Sequence, residues 1–318
     1  MRYRRLGESG LAVSVVGLGC NNFGRRIGPD KVQEVVDAAI DSGITLFDTA
    51  DTYGTPHGAS EEQLGAALKA NGKRNDVVIA TKFGSPMEGV NGPDWNARGG
   101  RRYIQLAVDA SLRRLGTDWI DLYQLHQPDR RTPIEETLAA LDEVVRAGKV
   151  RYIGSSNFAG WQVANAAWVS RTERITPFVS AQNHYSWLER GVESELVPAC
   201  THFGVGLLPY FPLASGLLTG KYKRGTEAPQ GTRLSFGPFA GALANARWDV
   251  IEALEAFAEA RSLTILDVAI GGLAAKPAVG SVIAGATSGD QVRANVGAGA
   301  WVPTPDELIQ LDKITAKG

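Results

Sequence analysis

The chain has 318 residues, 44% of them hydrophobic, and a formal net charge of −1, so it can bury a large core and carries no basic surplus for a nucleic-acid or anionic-membrane partner. Its two cysteines, Cys20 and Cys200, lie far apart without metal-type spacing, which points to a reduced, cytoplasmic setting. No stretch approaches a membrane span. In chain order, residues near 2–7 and 11–16, joined by Gly7-Glu8-Ser9-Gly10, read as an N-terminal β-hairpin. The apolar run Leu11 to Cys20 contains Ser14 and two glycines, and is too short and too late for a signal peptide. Val15 to Gly19 reads as the first parallel strand, and Pro29 to Ser42 as the first helix, with Pro29 in the favoured first turn.

Further strands are expected at 44–48, 77–81, 119–125, 150–154, 178–182, 205–210 and 279–283. Helices are expected near 60–71, 102–115, 134–147, 160–170, 192–203, 247–261, 264–275, 289–296 and 305–316. No composition shift or linker divides the series, so residues 1–318 read as one domain. Eight alternating units close naturally into a (β/α)₈ TIM barrel, an α/β fold. A doubly wound open sheet is the alternative. It normally carries a glycine-rich fingerprint after its first strand, and Gly17-Leu18-Gly19-Cys20-Asn21-Asn22 lacks the third glycine. Two long loops, Phe83 to about Arg101 and Phe211 to about Ala246, follow strand ends and so belong to the catalytic face of a barrel.

Asp48, Lys82 and His126 each sit at the end of a successive strand run, and Tyr53 follows Asp48 by five residues. Parallel strands put these ends on one face. A Lys82 ammonium held by Asp48 and lying beside Tyr53 would lower the phenol's pKa toward working pH and make it an acid. His126 is placed to hydrogen-bond and orient a carbonyl oxygen. Any one of these residues alone reads as a structural ion pair, a packed ring or a strand cap. Their joint occurrence at three consecutive strand ends reads as a proton-transfer site.

The motifs carrying these residues resemble those of the aldo-keto reductase family over essentially the whole chain. They are Phe47-Asp48-Thr49-Ala50 with Tyr53-Gly54, Ala80-Thr81-Lys82, Ser111 to Asp118, and Asp121-Leu122-Tyr123-Gln124-Leu125-His126. Later come Gly154-Ser155-Ser156-Asn157-Phe158, Ala181-Gln182-Asn183 and Leu217-Leu218-Thr219-Gly220-Lys221-Tyr222. The second long loop and the Gly-Lys-Tyr motif are most similar to the branch of potassium-channel β-subunits and bacterial glyceraldehyde-phosphate reductases. The resemblance implies a tetrad of Asp48, Tyr53, Lys82 and His126, with hydride from NADPH or NADH and a proton from Tyr53 to an aldehyde or ketone.

The resemblance also implies a cofactor cradle. Ser156, Asn157 and Gln182 suit a carboxamide, and Tyr210 offers an aromatic face for the nicotinamide. N-capping of the next helix is the bland reading of Ser156 and Asn157. The run Phe211, Leu213, Ser215 and Gly216 would wrap a pyrophosphate with backbone N–H groups, with Lys221 adding charge. Relatives often have a small residue at Phe211, where a backbone contact survives the change and a hydroxyl contact does not. Arg233 aligns with an arginine at the adenosine end, and a guanidinium matches a 2′-phosphate. Gly285, Thr287, Gln291 and Asn295 resemble the adenosine site. Ala294 stands where relatives carry an acid, and no lysine occupies the stretch that grips the 2′-phosphate in aldose reductases. NADP is the preferred expectation and NAD remains open.

Asn21, Asn22, Phe23, Met87, Trp95 and Trp187 fall on strand-end loops and are candidates for an apolar substrate mouth, with loop packing the alternative. Arg98, Arg101 and Arg102 read as solvated charges at a helix start, and His57 as a surface turn. His184 and His202 lack ligand spacing, so no metal is expected. Two other readings compete with a carbonyl reductase. One is a cofactor-binding regulatory subunit with vestigial redox chemistry, weakened by the absence of an extended segment before the hairpin. The other is an isomerase or lyase on the same barrel, which would not need the Ser156, Asn157, Gln182 and Tyr210 set.

Overall fold

A computed structural model describes residues 1–235, 241 and 243–316, apart from the side chain of Arg233. An antiparallel hairpin, β1 (Tyr3–Arg5) and β2 (Ala12–Ser14), precedes eight parallel strands. These are β3 (Val16–Gly19), β4 (Leu46–Asp48), β5 (Val78–Phe83), β6 (Ile120–Leu125), β7 (Val150–Ser156), β8 (Phe178–His184), β9 (Gly206–Tyr210) and β10 (Val282–Gly285). They run in sequence order around the sheet, with β10 beside β3. The circle is completed where Leu207 bridges Val279, its N–H donating to the Ala278 carbonyl at 2.7 Å and its carbonyl accepting from Gly280 at 2.8 Å. The fold is therefore the expected (β/α)₈ barrel with an N-terminal hairpin.

The helices between the strands are α1 (Pro29–Asp41), α2 (Ala59–Asn71), α3 (Arg101–Leu115), α4 (Ile134–Arg146), α5 (Gly160–Glu173) and α6 (Leu196–Phe203). After β9 come α7 (Trp248–Glu259) and α8 (Ile265–Asp267), which continues as a π-helical turn over Val268–Gly272. Gly271 and Gly272 let that turn approach its neighbours, since a Cβ on either would run into Trp301 or Trp187. Helices α9 (Gly289–Ala298) and α10 (Pro305–Thr315) complete the series. Pro29 occupies the first turn of α1, as the sequence indicates. The eighth strand starts three residues later than expected, because 278–280 pairs with β9 before the chain crosses to β3.

Alternation along the strands decides what faces inward. Leu46, Ala80, Leu122, Leu208 and Ile283 point into the barrel, where Leu6, Leu11 and Val13 of the hairpin region pack against them. Phe47, Ile79, Tyr123 and Leu207 point outward into the larger core under the helices. Four of these inward residues are followed two positions later by a polar or aromatic one, Asp48, Lys82, Gln124 and Tyr210, and Ile283 is followed by Gly285. Gly154 is needed between them, because a Cβ there would fall 2.2 Å from Ser180 Oγ and 3.3 Å from Gln124 Cγ. The barrel thus has an apolar floor and a polar layer directly above it.

Candidate active site

Asp48 ends β4 and is buried, and Lys82 lies inside β5 rather than past its end, because that strand continues to Phe83. Lys82 is fully buried, and its Nζ donates to Asp48 Oδ2 at 2.6 Å and to the Thr49 carbonyl at 2.8 Å. Its contact with the Tyr53 hydroxyl is 3.5 Å. Burial works against the Lys82 ammonium, but Asp48 and then Tyr53 outweigh it and hold its pKa above the ordinary value. The Tyr53 loop is stitched to its neighbours by N–H bonds from Thr49 to Ala80 O, from Asp51 to Lys82 O and from Ser60 to Tyr53 O. A further hydroxyl pair joins Thr49 to Ser60 at 2.8 Å.

One expectation is corrected here. Tyr53 does not have a phenol tuned down to neutrality. Burial raises its pKa most, Lys82 lowers it, Asp48 raises it again, and the net shift is upward. The Lys82 charge is already shared with Asp48, and its approach to the phenol is long for a hydrogen bond. Tyr53 therefore holds its proton at neutral pH. His126 follows β6, its ring 5.8 Å from that of Tyr53 in an edge-on arrangement. Burial, reinforced by Lys82, drives its pKa down to about 3, and its Nδ1 is buried without a hydrogen-bond partner.

The tetrad continues into the residues expected to hold a cofactor. Gln182, inside β8, donates to Asp48 Oδ1 at 2.8 Å. Ser156 ends β7 and donates to the Gln182 carbonyl at 2.9 Å. Asn157, with φ 60, donates to the His126 carbonyl at 2.9 Å and accepts the Tyr210 hydroxyl at 2.8 Å, tying the ends of β6, β7 and β9 together. Neither Ser156 nor Asn157 caps α5, whose N-cap is Ala159. Gln124 was not foreseen. It is fully buried, and its amide reaches Asp48 Oδ1 and accepts from Gln182, both at 3.4 Å. Its position two residues before His126, on the same strand face, was the available signal.

All of these except Lys82 and Gln124 line a cleft of about 980 Å³ at the C-terminal ends of the strands. The loop Phe211, Leu213, Ser215 and Gly216 forms one wall, and Lys221 stands beside Gly216. Phe211, Ala214 and Ser215 all have positive φ, a local strain typical of ligand clamps. The N–H groups of Ala214 and Gly216 turn back to the carbonyls of Phe211 and Leu213, so those two are not available to an anion. Gly285, Thr287, Gln291, Ala294 and Asn295 line the far end. There Gln291 Oε1 accepts from the Thr287 N–H at 2.9 Å, and the Ser288 side chain caps α9. The expected Arg233 contact lies outside the described residues.

Several mouth candidates are reassigned. Asn21 and Asn22 line the cleft, but Phe23, Met87 and Trp187 are buried elsewhere, and the Trp187 indole donates to the Val268 carbonyl. Trp95 is 70% exposed in a separate groove, under Arg102. Arg98 pairs with Asp94 and Arg101 with Glu143. His57 belongs to a turn, bonds the Thr52 carbonyl and also reaches the cleft. Arg25 and Arg26 were overlooked beside Asn21 and Asn22. With Lys221 they give the described lining three cations, against Asp48 as its one acid, which Lys82 neutralises. A positively biased cleft of this length suits an anionic dinucleotide. Among the described residues no group of three His, Cys, Asp or Glu side chains is placed to hold a metal ion, and no helix is long and apolar enough to cross a membrane.

The model of the aldo/keto reductase family matches residues 15–316. The chain belongs to that family. As an aldo/keto reductase it is an oxidoreductase, and the family uses NAD(P)H on small carbonyl compounds. Similar proteins include the uncharacterized oxidoreductase YrpG of Bacillus subtilis (strain 168), 43% identical over 70% of this chain and 69% of its own. A probable voltage-gated potassium channel subunit beta of Arabidopsis thaliana is 35% identical over 99% of this chain and 95% of its own. The L-glyceraldehyde 3-phosphate reductase of Escherichia coli (strain K12) is 33% identical over 100% and 93%.

Proposed function

We propose that this reductase converts an aldehyde or ketone to an alcohol with NADPH as the preferred nucleotide. The observation that carries the reading is the run of contacts from Tyr53, 3.5 Å from Lys82 Nζ, through the Lys82–Asp48 ion pair to Gln182, with Tyr53, Asp48 and Gln182 all lining one cleft. It joins the proton donor to the expected carboxamide site. The residues fit the nucleotide: Ser156, Asn157 and Gln182 supply polar groups, Tyr210 an aromatic wall, and Lys221 an ammonium with no ion-pair partner among the described residues. When bound, a reduced nicotinamide supplies the hydride. Tyr53 hands its hydroxyl proton to the forming alkoxide, and the buried Lys82 ammonium stabilises the tyrosinate left behind. Neutral His126 donates one hydrogen bond to the carbonyl oxygen and fixes its direction. The cytoplasm is the setting that goes with this chemistry.

A panel of aldehydes and ketones, followed by loss of reduced-nicotinamide absorbance with NADPH and NADH in parallel, tests the reading. No turnover with any carbonyl while nucleotide still binds would favour a regulatory subunit, the reading that the Arabidopsis relative's name supports. Arg233→Ala tests the preference itself. It should weaken NADPH by roughly 1.5–3 kcal/mol, the range for a hydrogen bond to a charged group, and leave NADH nearly unchanged. Equal losses for both nucleotides would remove Arg233 from the site.

A further inference from the structure

His184 and Tyr210 are register partners at the open ends of β8 and β9. Their rings lie in offset-stacked contact, with centroids 5.5 Å apart and planes 9° from parallel. Phe211 meets both edge-on, at 5.7 Å from His184 and 5.3 Å from Tyr210. Tyr210 lines the cleft and His184 does not, so the imidazole covers the side of the phenol ring turned away from it. The Tyr210 hydroxyl is held by Asn157, so the ring cannot swing off this backing. A histidine there is not needed to fill space, which a leucine or phenylalanine would do without a titratable group.

We propose that His184 sets how the cleft discriminates between oxidised and reduced nicotinamide nucleotide, acting through Tyr210 as a charge that is present or absent with pH. The proposal rests on the reading above, in which Tyr210 carries the nicotinamide ring. Oxidised nicotinamide is a cation and the reduced form is neutral. An imidazolium one ring away repels the first and leaves the second alone, and it strengthens the stack by sitting on the electron-rich face of Tyr210.

Among the described residues, few other titratable groups act on this pair. Glu189, in the turn closed by the Ser186 N–H to Glu189 carbonyl bond, acts electrostatically on both groups, and Tyr53 acts on Tyr210. Burial lowers the His184 pKa below its usual value, and Glu189 opposes that shift. The imidazole is thus neutral at neutral pH and gains its charge only below the ordinary histidine value. Acid conditions then favour retention of the reduced nucleotide and release of the oxidised one. His184 is a positioning residue: it touches neither reacting atom.

The test measures affinities for NADP⁺ and NADPH by quenching of protein fluorescence from about pH 5 to pH 8, the range over which histidine changes charge. Wild type is compared with His184→Phe and His184→Gln, which keep bulk or polarity without a titrating ring. The ratio of the two dissociation constants cancels ionisation of the 2′-phosphate, which both forms share. In wild type, Kd for NADP⁺ over Kd for NADPH should rise about two- to tenfold toward the acid end. It should stay flat in both variants. In proton NMR, saturation with NADP⁺ should lower the His184 titration midpoint more than saturation with NADPH does. A flat ratio in wild type, or variants that follow the wild-type curve, overturns the proposal while leaving the reductase reading standing. Failure of both nucleotides to bind at every pH overturns that reading and this proposal together.

Discussion

In the proposed reaction Tyr53 is a weak acid that stays protonated until a developing alkoxide takes its proton, and its neighbours explain why. Burial disfavours the phenolate, Lys82 is too fully engaged by Asp48 to reverse that, and the pKa ends above the ordinary value. In the same proposal Lys82 acts on the product side of the transfer, where a tyrosinate would form beside a charge already in place. Tyr53→Phe removes the proton-donating hydroxyl and keeps the ring, so it should bind NADPH normally and lose carbonyl reduction by at least about 10²-fold. Near-normal turnover would dismiss Tyr53 as the acid. His126 yields a second expectation. Its pKa of about 3 keeps the imidazole neutral in mild acid as well as at neutrality. The pH profile of kcat/KM for a neutral ketone should therefore show no acid limb near the usual histidine value of about 6.5. If such a limb exists in wild type and disappears in His126→Gln, the residue is charged at neutrality and its assigned role fails.

At the scale of elements, the loop from β4 to α2 places Tyr53, and a buried polar network holds it. Asp51 Oδ2 accepts from Asn91 at 2.8 Å, and Asn91 accepts from Arg114 at 3.0 Å. Arg114 pairs with Glu61 at 2.6 Å, and Glu61 accepts from Thr81, also at 2.6 Å. Helices α2 and α3, strand β5 and two loops meet there with two carboxylates and a single guanidinium, so the cluster is electrically balanced when Asp51 keeps its proton. Burial, then Glu61, raises the Asp51 pKa well above the carboxylate range. A raised folded-state pKa means that this group's stabilisation is complete below the unfolded value of about 3.9 and is lost as pH rises through the folded value. Asp51→Asn copies the neutral acid, so its melting temperature should gain on wild type with rising pH. Parallel melting curves across that range would show Asp51 ionised throughout. None of this network was legible in the sequence, because its members are scattered from Asp51 to Arg114 and each reads alone as a surface charge. The tetrad was legible because strand ends mark a shared face in advance. Gln124 was hidden by its place inside a strand, where a polar side chain reads as interrupted alternation. The last strand shifted because Val279 belongs to the closure with β9, a pairing between segments far apart in the chain.

For the whole molecule, stability and chemistry are separated along the barrel axis. Leu6 sits fully buried at the end opposite the cleft, close against Gly206 and Gly280, where a Cβ on either would lie 2.5 Å from its Cδ1. With Leu11 and Val13 it closes the floor formed by Leu46, Leu122, Leu208 and Ile283. The polar layer of Asp48, Lys82 and Gln124 rests on that floor but bonds to residues at its own level or above. Removing atoms from the floor should therefore cost stability without changing the bonds that define the site. Leu6→Ala deletes a fully buried side chain from a position where two glycine backbones restrict collapse. A loss of about 2–5 kcal/mol is expected, read from the urea midpoint at unchanged slope. Measured well below its melting temperature, the variant should keep the wild-type Kd for NADPH and the wild-type pH profile. A weakened nucleotide affinity alongside the stability loss would mean that floor and site are mechanically coupled. The barrel would then transmit strain along its strands instead of insulating the cleft from its base.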